Sequence, residues 1–207
     1  MTLAPYLDLI RFHRPVGWLV LYWPTMISLF VAAGGWPGWH LFIVFSLGVF
    51  LTRSAGCAIN DYADRHWDGQ VERTQQRPLV TGALTAKQAL GCFALLMLIA
   101  FGLVLTLNIQ SILASFVAVA LAALYPFTKR WTHYPQLFLG LAFSMGVIMP
   151  FIALDRPLNW MVWLLWLANV LWTLSYDTLY ALTDMPDDLK AGIKSTAIAF
   201  GEKAHWV

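Results

Sequence analysis

The chain has 207 residues, of which 59% are hydrophobic and only 12% charged, with a formal net charge of +2. Its mean hydropathy is +0.65. A soluble domain is nearer half apolar and a quarter charged, so this composition excludes an ordinary soluble domain and points to an integral membrane protein.

Six apolar segments follow in chain order, at roughly 16–34, 39–59, 88–107, 111–127, 136–154 and 158–180. Each is long enough to cross the hydrocarbon core. Each is expected to be a helix, because an open strand would leave backbone groups unpaired in lipid. Residues 1–16 carry Asp8, Arg11 and Arg14, and no small-residue cleavage site follows the next apolar stretch, so no cleaved signal peptide is expected. Cys57 and Cys92 form no metal or redox spacing, and the five histidines, His13, His40, His66, His133 and His205, show none either.

The connections alternate in character. Those near 34–39, 107–111 and 154–158 are short and hold only Asp155 and Arg156. The other side receives residues 1–15, 60–87, 128–135 and 181–207. With Arg53 counted there, that side holds twelve of the thirteen Lys and Arg residues. The excess of positive charge predicts that this face and the N-terminus are cytoplasmic. The same face holds ten of the eleven acids, which topology alone does not require.

The acids fall in two groups. "NDYADRHWD" places Asn60, Asp64 and Asp68 at i, i+4 and i+8, one face of a continuing helix, with Asp61 turned away by about 100°. "YDTLYALTDMPDDLK" places Asp177, Asp184 and Asp188 at separations of seven and four. Each group ends an even-numbered span, so facing carboxylates at one depth are predicted. Clustered carboxylates repel unless a cation sits between them. Oxygen-only donors suit a hard ion such as Mg²⁺, which pairs one or two carboxylates with substrate phosphates. Arg77, Lys129 and Arg130 suit the remaining phosphate charge. A solvated loop of ordinary salt bridges is the plain alternative. Pro186 is expected to disfavour helix at Met185 and to loosen the geometry of Asp187 and Asp188.

These segments resemble the UbiA family of intramembrane aromatic prenyltransferases. "NDYADRHWD" resembles its first aspartate motif, and "YDTLYALTDMPDDLKAGIKSTA" its second. "YPFTKR", "RFHRPVGWLVLYWP" and "RPLVTGALT" resemble three further elements in the same order. Within the family, "SAGCAIND" and "YDTLYALTD" are most similar to members that prenylate 4-hydroxybenzoate in ubiquinone synthesis.

The resemblance implies an all-α polytopic bundle of nine spans with a cavity opening to lipid. Six spans fall within residues 1–207, which form a single prenyltransferase domain expected to be shortened at its C-terminal end. It implies Mg²⁺-dependent transfer from a polyprenyl diphosphate to the 3-position of 4-hydroxybenzoate, with the lipid bilayer of a bacterial inner membrane as surroundings. The metal ligands implied are Asn60, Asp64, Asp68, Asp184 and Asp188. Asp177, Lys129 and Arg77 take catalytic roles. Arg14, Arg77, Lys129, Arg130, Tyr125 and Lys194 bind substrate, Arg14 pairing with the aromatic carboxylate. Other acceptors, such as a naphthoate or a haem or chlorophyll precursor, remain alternatives, as does a cation-coupled transporter. The placement of the acids at one end, not the midplane, speaks against transport.

Overall fold

The computed structural model describes residues 3–70 and 72–206. A short helix, α1 (Ala4–Leu9), precedes a run of long ones: α2 (Val16–Ala33), α3 (Trp39–Asp64), α4 (Ala86–Val104), α5 (Ile109–Thr128), α6 (Pro135–Ala153) and α7 (Trp160–Ala181). Two short elements follow, α8 (Met185–Ala191) and α9 (Thr196–Phe200). The long helices match the six apolar segments within a few residues. Five of them, α2 to α6, are both long and apolar enough to cross a membrane. The 22-residue α7 matches their length, but Trp160, Trp163, Trp166, Trp172 and Asn169 dilute its apolar character.

Local sequence sets the helix ends. Thr85 caps α4 in a reciprocal pair with Gln88. Asn108 and Asn159 cap α5 and α7 through their side-chain oxygens. Gly34 closes α2 in the left-handed region, at φ 68°, where a Cβ would be strained.

Helix α3 packs between α2 and α4 and also meets α5, while α6 packs on α2, α5 and α7. The contacts between α6 and α7 are close. A Cβ at Gly140 would lie 2.9 Å from the Val170 carbonyl oxygen. Nearby, the Asn169 side-chain amide donates to Ser144 Oγ at 2.9 Å, a buried interhelical bond. The outer faces are apolar, with Leu95, Leu98, Leu113, Phe116, Leu164 and Leu171 exposed as lipid-facing residues are.

The three short connections meet at one end of the bundle. Asn108 Nδ2 donates to the Ile152 carbonyl and to Asp155, and Arg156 Nε donates to the Ala32 carbonyl. The long polar connections meet at the other end. Helix α3 has 26 residues, or about 39 Å at 1.5 Å per residue. A hydrocarbon core is about 30 Å thick, so α3 overhangs it at one end, and the polar end of α3 carries Asn60, Asp61 and Asp64.

Candidate active site

A cavity of about 120 Å³ opens at the polar end of the bundle. It is lined by Asp64 from the last turn of α3, Asp68 from the turn after it, and Arg73, Thr74 and Arg77 from the following loop. Tyr125 and Lys129 enter from the end of α5, Gln136 from the start of α6, Asp177 and Tyr180 from α7, Asp184 from the turn before α8, Asp188 from α8, and Lys194 and Ser195 from the loop before α9. The two aspartate groups, more than a hundred residues apart in sequence, thus face one space.

The route to that convergence differs from the helical spacing. Helix α3 ends at Asp64, and Asp68 opens a separate 3-10 turn at Asp68–Gln70. The i, i+4, i+8 face is therefore interrupted. Asp68 is held by its own contacts, with Thr74 Oγ1 donating to its backbone carbonyl at 2.5 Å. Likewise α7 stops at Ala181 and Asp184 is the residue before α8. Pro186 falls within the first two positions of α8, and Met185 is helical. The expectation that Pro186 disfavours helix at Met185 is thus corrected. In the first turn a missing N–H costs nothing, because those donors have no intrahelical acceptor.

The carboxylates carry basic partners. Lys129 Nζ lies 3.0 Å from Asp64, Arg77 lies 2.6 Å from Asp68, and Arg73 grips Asp184 with its shortest contact at 2.5 Å. Asp61 is 1% exposed and faces away from the cavity lining. Arg11 at 2.7 Å and Arg77 at 3.1 Å both reach it. Arg11 adopts φ 54°, a conformation uncommon for a side-chain-bearing residue. The geometry makes Asp61 a fixed post that holds Arg77 in place against Asp68.

Electrostatics follow burial. Burial pushes the Asp68 carboxyl up to about 6, with Asp64 adding to the rise and Arg77 opposing it. Burial also lifts Asp188 to about 6, against Lys129 and Arg73. For Lys129 burial opposes the charge, but Asp64 and Tyr125 together outweigh it and hold the ammonium above its ordinary range. Its bond to Asp184 is the main cause that holds Arg73 above its usual range.

Of the residues named from sequence, Asp64, Asp68, Asp177, Asp184, Asp188, Arg77, Lys129, Tyr125 and Lys194 line the cavity. Three others do not. Asn60, half-buried on α3, lies outside the lining, and Arg14 is exposed at the bundle's edge. Arg130 turns aside, stacking over Trp67 at 4.7 Å and donating to the Ala63 carbonyl. The aromatic ring and the carbonyl occupy its guanidinium, so it braces the end of α3. His205 has a side chain outside the described residues. Sequence reading passed over Arg73, Gln136 and Ser195. Gln136 accepts from the Thr196 backbone N–H at 3.0 Å, and the Lys194 N–H donates to the Lys129 carbonyl at 3.1 Å. These bonds tie the loop bearing Lys194 to α5 and α6.

The donor set is all oxygen and drawn from separate elements, which fits a hard divalent cation in kind. Among the described residues, no three carboxylates already sit as a ready-made metal group. Basic partners instead occupy Asp64, Asp68 and Asp184.

Residues 21–207 match the model of the UbiA prenyltransferase family. The chain is 57% identical over 201 residues to a 4-hydroxybenzoate octaprenyltransferase of Alcanivorax borkumensis, covering 97% of this chain and 69% of the relative. It is 56% identical over 201 residues to the enzyme of that name from a Marinomonas species, covering 97% and 71%. Among solved structures, a UbiA homolog from Aeropyrum pernix superposes with a TM-score of 0.76 at 27% identity, covering 98% of this chain and 71% of that one. A UbiA homolog from Archaeoglobus fulgidus bound to GPP and Mg²⁺ gives 0.79 at 21% identity, covering 97% and 71%, a likeness of fold. With its apolar helices, the chain is an integral membrane protein, and it belongs to the UbiA prenyltransferase family.

Proposed function

We propose that the chain transfers the polyprenyl group of a polyprenyl diphosphate to the 3-position of 4-hydroxybenzoate, as in ubiquinone synthesis. The observation that carries this reading is the convergence of Asp64, Asp68, Asp177, Asp184 and Asp188 with Arg73, Arg77, Lys129 and Lys194 around one cavity. The relatives named 4-hydroxybenzoate octaprenyltransferase support the acceptor. The reading takes residues 1–207 as a single transmembrane prenyltransferase domain. The polar end, with the N-terminus, faces the cytoplasm of a bacterium across its inner membrane.

Asp64, Asp68, Asp184 and Asp188 are the residues to hold Mg²⁺, with Asn60 behind them on α3. Bound there, the ion supplies charge stabilisation to the leaving diphosphate oxygens. Arg73, Arg77 and Lys129 exchange their carboxylates for phosphate oxygens, and Lys194 adds a fourth cation. The C–O bond of the diphosphate ester breaks, leaving an allylic cation. The acceptor carbon beside the phenol hydroxyl forms the new C–C bond with it. Asp177 takes the ring proton. The face of Tyr125 stabilises the allylic charge, and the apolar helices keep water from it.

The test is transfer of a labelled prenyl diphosphate to 4-hydroxybenzoate in membranes with Mg²⁺, comparing the chain with its Asp64→Ala variant. Loss of a metal-holding carboxylate is expected to lower turnover by at least about 100-fold, more than loss of an outer-shell partner costs. Undiminished transfer by the variant would reject the reading.

A further inference from the structure

Gln136 is the second residue of α6 and is 5% exposed. Its side-chain oxygen accepts from the Thr196 backbone N–H at 3.0 Å. A backbone N–H only donates, so this bond fixes which end of the amide is oxygen. Thr196 is held in turn. Thr178 Oγ1 spends its one proton on the Leu174 carbonyl at 2.6 Å, so the Thr196 hydroxyl is the donor in the 2.6 Å contact between the two threonines. The amide nitrogen of Gln136, Nε2, is different. Among the described residues, no acceptor lies within hydrogen-bond distance of it. It is not sealed off either, as the unpartnered hydroxyls of Ser111 and Thr173 are. Gln136 lines the cavity, so two unspent N–H donors open onto that space. A buried side chain with idle donors calls for a partner.

The surroundings give the sign of that partner. Pro135 and Gln136 both line the cavity, and Tyr134 puts no side-chain cap on α6. The positive end of a 19-residue helix therefore faces the same space. Lys194 stands two residues before Thr196, and its N–H donates to the Lys129 carbonyl. The amide thus shares a strap with two cavity-lining cations. An NH2 group donates and cannot accept, so the partner is an acceptor and an anion. Arg73, Arg77 and Lys129 each begin with a carboxylate in contact, whereas Nε2 has none to give up.

We propose that Gln136 binds a diphosphate oxygen of the prenyl donor through Nε2, as a neutral donor beside Lys129 and Lys194. This rests on the reading of the chain as a transferase acting on a prenyl diphosphate. The oxygen of the same amide keeps Thr196, and with it Lys194, in place. One side chain thereby fixes the strap and grips the ligand.

Steady-state transfer in membranes with Mg²⁺ tests this, with inorganic diphosphate as competing inhibitor and melting in detergent followed alongside. The proteins are the wild type, Gln136→Glu and Gln136→Met. Glutamate keeps an oxygen for the Thr196 N–H and loses the NH2 group; methionine loses both. In Gln136→Glu, kcat/KM for the prenyl diphosphate and affinity for inorganic diphosphate are each expected to fall about 10- to 100-fold, the range for a hydrogen bond to a charged group. KM for 4-hydroxybenzoate and the melting temperature are expected to stay at the wild-type values. Gln136→Met is expected to lose diphosphate affinity and also to melt lower. Wild-type diphosphate affinity in Gln136→Glu, with a loss in Gln136→Met, makes Gln136 a strap alone and overturns the proposal. Wild-type affinity in Gln136→Met overturns it even if Gln136→Glu does not fold. A rise in KM for 4-hydroxybenzoate alone moves the amide to the acceptor and overturns it too. A wild type that neither binds inorganic diphosphate nor transfers a prenyl group instead overturns the reading on which the proposal rests.

Discussion

The carboxyls of Asp68 and Asp188 are held near 6 chiefly by burial, which gives the site a pH signature. A carboxyl whose pKa is raised by folding favours the protonated fold. Its stabilising contribution is complete below the ordinary carboxylate range and is lost as pH rises through about 6. Without metal, the melting temperature in detergent is therefore expected to fall between about pH 4 and about pH 7. A divalent cation competes with those protons, so Mg²⁺ is expected to raise the melting temperature more at pH 7 than at pH 5. A metal-induced shift that is equal at both values would show that these carboxyls do not hold the ion. At this scale the sequence was most legible where chemistry is concentrated. Asp64, Asp177, Asp184 and Asp188 announce themselves as acids in a chain poor in charge. Gln136 and Ser195 do not, because the amide of Gln136 gains its place only through a bond to Thr196, 60 residues on, and the hydroxyl of Ser195 reads as a plain cap of α9, accepting from the Ile198 N–H. Arg73 was visible as a charge, but its grip on Asp184 spans 111 residues.

Among the elements, the α6–α7 contact brings backbone closest to backbone at a glycine. Gly140 leaves room for the α7 backbone and little else. Gly140→Ala is expected to cost about 1–3 kcal/mol, as overpacking does, and Gly140→Leu to prevent the packing outright. Unfolding of the variants in detergent checks this; unchanged melting in both would refute the close approach. Since α7 carries Asp177 and leads into Asp184, loosened packing is also expected to weaken diphosphate binding. Apolar length located each span within a few residues, because burying backbone in lipid leaves the helix as the sole choice for such a run. What the pattern missed were the breaks. Spacing by four carries a face onward only while the helix lasts, and α3 ends at Asp64 before Asp68 is reached. Pro186, read as a helix breaker, starts one.

For the molecule as a whole, the crowding of charge at one end makes a topological statement. His133 is exposed at the polar end, and Trp36 is exposed in the connection at the other. In inside-out vesicles, a membrane-impermeant maleimide is expected to label His133→Cys and to leave Trp36→Cys untouched, in a background with Cys57 and Cys92 replaced. The reverse pattern would place the cavity outside the cell. Charge asymmetry was legible because every long connection is rich in Lys and Arg, whereas the pairing of those cations with the aspartates depended on the bundle being closed. The overhang of α3 beyond the hydrocarbon core carries a further consequence. It holds the aspartates on the wet side of the boundary while Arg53 stays near the greasy one. A reaction run across that boundary sorts its own products. The prenylated ring keeps its tail in the bilayer and diffuses away in two dimensions, while diphosphate is released into water and diluted in three, so dispersal of the two products opposes the reverse reaction.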